Sequence, residues 1–244
     1  NLENGDKLFD TPFSRGEIGI PINGLVWMGS FDEMNKRIED KLSEGFRCVK
    51  LKIGAIDFDS EMILIKSIRK RYSKSAIELR VDANGGFTAG DAMSRLEELS
   101  KYDIHSIEQP IRQKQWHEMS YLCANTPVPI ALDEELIGVN IPKMKDDLLD
   151  FIKPQYIVLK PTLHGGMKGT REWIEKSRLR NVGSWITSAL ESSVGLSAIA
   201  QLTSDIYGND ITMAQGLGTG ALFADNLPSQ TEIRGDKLWM TGKK

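Results

Sequence analysis

The chain has 244 residues, which suits one large domain with a sizeable core. Hydrophobic residues make up 40% and charged residues 27%, an ordinary balance for a globular protein. With 31 Lys and Arg against 34 Asp and Glu, the charge gives no ground for nucleic acid or an anionic membrane as a partner.

No stretch has the apolar length of a membrane span. Cys48 and Cys123 form no C-x-x-C pair, so neither a thiolate zinc site nor a redox dithiol is indicated. Two isolated thiols fit a reducing, cytoplasmic setting. The start, Asn1-Leu2-Glu3-Asn4-Gly5, is polar, lacks an initiating Met and carries no signal-peptide pattern, so it reads as the beginning of a fragment.

Short β-like runs predict strands at 20–28, 47–53, 77–82, 104–108, 129–133, 156–160, 183–187 and 211–215. Amphipathic periodicity predicts helices at 31–44, 60–72, 88–101, 114–124, 167–179 and 193–204, with a weaker one around 141–149. Eight strands alternating with helices predict parallel βα units closed into a barrel over residues 20–227. Residues 1–19 and 228–244 lie outside this pattern and are expected to pack against something else. The alternative is an open, doubly wound sheet, which would carry a Gly-rich phosphate fingerprint after its first strand. None follows Met28, and Gly85-Gly86 and Gly165-Gly166 lack the spacing.

Five strands end in a charged residue: Lys52, Asp82, Glu108, Asp133 and Lys160, separated by steps of 25 to 30 residues. Each step is about one βα unit, so these side chains are expected side by side on the rim where barrel enzymes carry their chemistry. Strand alternation points them inward. Lys50 and Lys52 share one face against Val49, Leu51 and Ile53, and Arg80 and Asp82 share one against Leu79 and Val81. Three neighbouring carboxylates repel one another, and a divalent cation would remove that cost. An all-oxygen donor set favours Mg²⁺, or Mn²⁺ as a substitute. A lysine–carboxylate ion-pair network at the mouth explains the same residues and stays open. Lysines beside a cation lose protons more readily, while neighbouring carboxylates act the other way. A lysine base beside a metal suits removal of a proton next to a carboxylate.

Lys50-Leu51-Lys52, Val81-Asp82-Ala83-Asn84, Ile107-Glu108-Gln109-Pro110, Leu132-Asp133-Glu134 and Leu159-Lys160-Pro161-Thr162 together resemble the enolase superfamily, and within it the muconate-lactonising subgroup. A lysine base with Mg²⁺ is a general pattern of that superfamily. The resemblance runs from about Leu8 to the C-terminus and implies a TIM-like (β/α)7β barrel. The segments Phe9-Asp10-Thr11-Pro12-Phe13, Ile22-Asn23-Gly24-Leu25-Val26-Trp27-Met28-Gly29 and Thr187-Ser188-Ala189-Leu190-Glu191-Ser192-Ser193-Val194-Gly195 resemble its dehydratase branch. That branch removes water from a succinyl-hydroxycyclohexadiene carboxylate in menaquinone synthesis.

By the resemblance, Asp82, Glu108 and Asp133 hold the metal, Lys52 moves the proton and Lys160 stabilises the enediolate from across the ring. Lys50, Arg80, Asn84, Ser192 and Ser193 would line the site of a small carboxylate substrate. For Arg80 an internal ion pair with a ring carboxylate is the alternative. For Ser192-Ser193 it is simple capping of the following helix. Residues 216–220 read as a flexible loop at the same rim, and His164 as a solvated loop residue without a partner. The resemblance also implies an N-terminal α+β capping domain. Only its last piece is expected at 1–19, with 228–244 returning towards it. A barrel without most of its lid would enclose substrate poorly. Within the subgroup, racemisation of N-succinylamino acids and cycloisomerisation share the same residues and stay open. Dipeptide epimerases usually carry D-x-D after the last strand, where this chain has Ala214-Gln215-Gly216-Leu217. A Schiff-base aldolase using Lys160 and a non-catalytic barrel are the rivals outside the family. Oligomeric state stays open, a homo-oligomer included.

Overall fold

The computed structural model describes residues 7–209, 211–222 and 225–241. The ends of the expected outer segments, 1–6 and 242–244, therefore lie outside the described residues. Seven parallel strands form one sheet in chain order: β2 (Gly24–Val26), β3 (Cys48–Lys52), β4 (Glu78–Asp82), β5 (Ser106–Glu108), β6 (Ile130–Leu132), β7 (Tyr156–Leu159) and β8 (Gly183–Ile186). The register puts Lys52 beside Asp82 and Asp82 beside Glu108.

Among the described residues seven α-helices lie between or after the strands: α1 (Phe31–Ser43), α2 (Phe58–Arg71), α3 (Ala92–Ser100), α4 (Trp116–Asn125), α5 (Pro142–Ile152), α6 (Gly166–Arg178) and α7 (Ser193–Tyr207). Local chemistry starts several of them. Ser30 and Glu33 form a reciprocal capping box at α1, and Asp57 accepts the Ser60 N–H at α2. The weakest expectation, around 141–149, is a full helix. Pro142 opens it and Leu148, Leu149 and Ile152 bury its inner face.

Two apolar cores follow from strand alternation. Val49, Leu51, Leu79, Val81, Ile107, Ile130, Leu132, Ile157, Leu159 and Ile186 join the helices in the large outer core. Ala131, Val158 and Trp185 form a separate small cluster with Tyr156 and Met213. Neighbours in sequence thus belong to different cores, as the period of two requires.

Two expected strands differ. The first divides: β1 (Ile20–Pro21) pairs antiparallel with β10 (Lys237–Met240), which pairs with β9 (Thr231–Arg234). The chain changes sheets at Ile22, whose N–H goes to Asp236, while the Asn23 N–H goes to Gln215. The eighth strand shrinks to two bridging residues. Gln215 bridges Ile22 and Gly216 bridges Thr187, joining the two edges of the sheet. Side chains occupy the backbone just before it: Arg80 donates to the Ala214 carbonyl and Gln215 to that of Met213.

Gly216 is therefore the narrow point of closure. A Cβ there would stand 2.5 Å from Thr187 Cβ. We expect Gly216→Ala to destabilise the fold by about 1–3 kcal/mol through overpacking, read from urea unfolding.

Candidate active site

The five strand-end residues do meet. Lys52 on β3, Asp82 on β4, Glu108 on β5, Asp133 just after β6 and Lys160 just after β7 occupy consecutive positions around one end of the barrel. Asp82, Glu108 and Asp133 are each 1% exposed. Lys50 Nζ lies 2.7 Å from both Glu108 carboxylate oxygens and 3.4 Å from Asp82 Oδ2. Lys52 Nζ donates to Asp82 Oδ2 at 3.0 Å and to Asn84 Oδ1 at 2.6 Å, and sits 5.0 Å from the centre of the Trp27 ring. Lys160 Nζ donates to Asp133 Oδ2 at 2.5 Å. Asn84 passes the contact on, its Nδ2 donating to Glu134 Oε1 at 2.9 Å.

Burial dominates the electrostatics. It pushes the Glu108 carboxyl up to about 8, with Asp82 and Asp133 adding to the effect of burial against Lys50. It pushes Asp133 up to about 6, against the pull of Lys160. Asp82 goes the other way: burial is outweighed by Lys50 and Lys52, and its carboxyl falls to about 2. Burial would lower Lys50 and Lys160, yet Glu108 and Asp133 respectively hold each above the usual lysine value.

Other expected site residues go elsewhere. Arg80 is buried below the carboxylates. It pairs with Glu78 at 2.7 Å, donates to Ala214 O and lies 4.4 Å from the Trp185 ring centre. An internal ion pair does hold it, but with Glu78 at the start of β4 and not with a carboxylate of the ring. Ser192 is exposed at the start of α7 and makes no side-chain cap; the Ser193 N–H is taken by Asn226 Oδ1 at 2.9 Å. Ser193 lines a groove along α7 with Leu8, Val194, Ser197 and Pro228. Among the described residues no hydrogen bond or ion pair ties either serine to the lysine–carboxylate group.

One expectation is overturned. His164 is not a solvated loop residue: it is 0% exposed, and its Nδ1 accepts the Lys160 backbone N–H at 3.0 Å. The sequence shows only a His in a Gly-containing loop, and the helix α6 that covers it comes from further along the chain. Gln109 was also missed. Buried beside Glu108, it accepts the N–H groups of Asp133 and Glu135 and so ties the end of β5 to the end of β6. Its place after Glu108 in the Glu-Gln-Pro run was the available signal. Trp27, over Lys52, was visible only as a residue of the first strand.

Among the described residues, no three His, Cys, Asp or Glu side chains stand grouped to hold a metal ion; ammonium groups stand among the carboxylates instead. The residues nevertheless suit a cation. Asp133 Oδ1 and Glu134 Oε2 are buried with no partner. Burial, and then neighbouring carboxylates, push the Glu108 and Asp133 carboxyls up, and added positive charge would offset both effects.

A closed α/β barrel with an acidic, all-oxygen centre and lysines on strands across from one another is the class of fold and site that the chain presents. Residues 33–233 match the family described as enolase C-terminal domain-like, and the chain belongs to that family, which is metal-dependent. It is 55% identical over 230 residues to the o-succinylbenzoate synthase of Desulfotalea psychrophila, covering 94% of this chain and 61% of that protein. The solved MenC structure from the same organism superposes with a TM-score of 0.89 at 51% identity, covering 97% of this chain and 65% of that one. The L-Ala-D/L-Glu epimerase of Bacillus subtilis is 28% identical over 72% of this chain and 47% of its own length. The muconate lactonizing enzyme of Pseudomonas putida, 22% identical with a TM-score of 0.77 over 91% of this chain and 60% of that one, shares the fold. The chain thus spans under two thirds of each of these relatives. No helix among the described residues is long and apolar enough to cross a membrane.

Removing one partner of a buried ion pair leaves the other charge uncompensated. Lys50→Met is expected to cost about 3–5 kcal/mol of stability in metal-free protein, measured by urea unfolding at neutral pH.

Proposed function

We propose that the protein is an o-succinylbenzoate synthase, removing water from a succinyl-hydroxycyclohexadiene carboxylate in the cytoplasm to give o-succinylbenzoate for menaquinone synthesis. One observation carries this reading: Lys52 and Lys160 stand four strands apart, across the mouth, with Asp82, Glu108 and Asp133 on the strands between them. The 55% identity to a synthase of that name supports the choice within the family. A dipeptide epimerase is disfavoured because Ala214 and Gln215 stand where an acidic pair would hold a substrate amine, and Gln215 is engaged by the Ile186 N–H.

In this reading Asp82, Glu108 and Asp133 hold a divalent cation, Mg²⁺ or Mn²⁺, with Glu134 close behind. When bound, the cation supplies positive charge to the substrate carboxylate as electron density builds there. With a cation held there, Asp82 would be its ligand and the Lys52 amine would be left for the substrate. Lys52 takes the proton next to the carboxylate. Its ammonium then hands that proton to the departing hydroxyl, which leaves as water as the ring becomes aromatic. The Lys160 ammonium faces the developing negative charge from the opposite side. Lys50 holds Glu108 in place, and Asn84 orients the Lys52 amine. Arg80 acts from below by supporting the barrel floor.

The outer segments belong to the same proposal. Residues 20–227 make the catalytic barrel, 1–19 finish a capping domain and 228–244 return towards it. Support comes from the apolar side chains left exposed after β6, β7 and β8: Ile137, Ile141, Leu163, Met167, Leu190 and Val194. A cap resting on them would cover these side chains and exclude water from the mouth.

In the intact protein, Lys52→Ala and Lys160→Ala should each lower dehydration by about 10³-fold or more while the fold stays intact, as circular dichroism would show. Ultraviolet absorbance of the aromatic product follows the reaction. Near-normal turnover by either variant, or faster polarimetric turnover of N-succinylamino acids by the wild type, would remove the reading. Cation affinity should rise with pH between about 6 and 8, because a cation must expel the protons that burial holds on Asp133 and Glu108. Calorimetry in buffers of different ionisation enthalpy would show proton release near neutrality, and its absence would count against these ligands.

A further inference from the structure

Behind the end of β7 lies a buried polar cluster with no part in the reaction above. His164 is at its centre. Its Nδ1 accepts the Lys160 N–H at 3.0 Å, and its own N–H donates to the Lys160 carbonyl at 3.1 Å. The two residues clasp one another across a turn that the Leu163 N–H to Lys160 O bond, at 2.8 Å, also closes.

The strand geometry explains why an imidazole is used. β6 has left the sheet after Leu132, and β7 ends at Leu159. Pro161 has no N–H to give. The Lys160 N–H is thus the last donor of the strand, and it goes to a side chain. Because Nδ1 accepts, the ring proton sits on Nε2. Burial, then the charges of Lys160 and Lys145, push the imidazole down to about 3, so it is neutral at ordinary pH. The turn is sealed from outside. Lys145, itself 1% exposed, donates to the Gly169 carbonyl at 3.2 Å and pairs with Glu172 at 2.8 Å. α6 packs so closely that a Cβ at Gly169 would collide with the His164 carbonyl oxygen.

We propose that His164 is the positioning residue for Lys160, holding its backbone so that the ammonium projects onto Asp133 at the end of the neighbouring strand. The consequence for turnover rests on the role proposed above for Lys160; the clasp itself does not.

The test compares wild type, His164→Ala and His164→Asn in the intact protein. Asn offers an acceptor oxygen near the place of Nδ1. Melting temperature, amide hydrogen exchange at Lys160, and kcat and KM for dehydration are measured. In His164→Ala, Lys160 exchange should rise about tenfold or more. Its kcat should fall about 10- to 100-fold, as for a displaced catalytic group, with KM changed less than about threefold. His164→Asn should restore both at a similar melting temperature. Unchanged Lys160 protection or near-normal kcat in His164→Ala would overturn the proposal, as would a folded Asn variant no better than Ala. If His164→Ala does not fold, the Asn variant decides, with wild-type exchange supporting the proposal and lost protection overturning it. If the wild type does not turn over the dehydratase substrate, the proposed function fails, and Lys160 exchange alone decides the clasp.

Discussion

Everything at the mouth of this barrel depends on balancing buried charge. Asp82, Glu108, Asp133 and Glu134 crowd against Lys50, Lys52 and Lys160, four carboxylates against three ammonium groups. In water such charges would be indifferent to one another; with the three strand-end carboxylates 1% exposed, each must be matched or protonated. The outcome is uneven. Asp82, touched by two lysines, is an easy anion, whereas burial pushes the Asp133 carboxyl up and the Glu108 carboxyl further still. An arrangement one positive charge short is poorly suited to a purely structural role and well suited to admitting a cation.

The sheet makes that crowding possible without collapse. Parallel register sets Lys52, Asp82 and Glu108 level with one another, so their contacts are short and lateral. Arg80 and Trp185 fill the barrel beneath them, and the guanidinium lies over the indole face. Gln109 clips two strand ends together where both chains turn sharply. The reactive layer therefore rests on a packed floor, and its side chains have few alternative places to go.

Much of this was legible in the sequence because strand alternation and βα spacing act locally. Val49, Leu51, Leu79 and Val81 marked the outer face of their strands, and the even steps from Lys52 to Lys160 marked one rim. What escaped depends on contacts between distant segments. Arg80 could have faced substrate or an internal partner, and only the meeting with Glu78, Ala214 and Trp185 decides it. His164 lies in a loop by sequence, but α6 covers it. The eighth strand shrinks to bridges at Gln215 and Gly216, and the carbonyls just before it accept from the Arg80 and Gln215 side chains. Ser192 and Ser193 suggested an anion site, yet Asn226 occupies the Ser193 N–H.

The closure described for Gln215 and Gly216 also bears on how the chain is made. Ile22 reaches Gln215, and Ile20 reaches Leu238, pairings between segments far apart in sequence. During translation the early strands leave the ribosome in order, each able to pair with its predecessor, but the first edge stays open until the segment around Gln215 and Gly216 emerges. An unfinished nascent sheet of this kind exposes an unpaired edge while the later strands are made, which is a demand on chaperones rather than on the finished fold. Such high contact order also makes the final ring closure, not strand formation, the slow event in refolding.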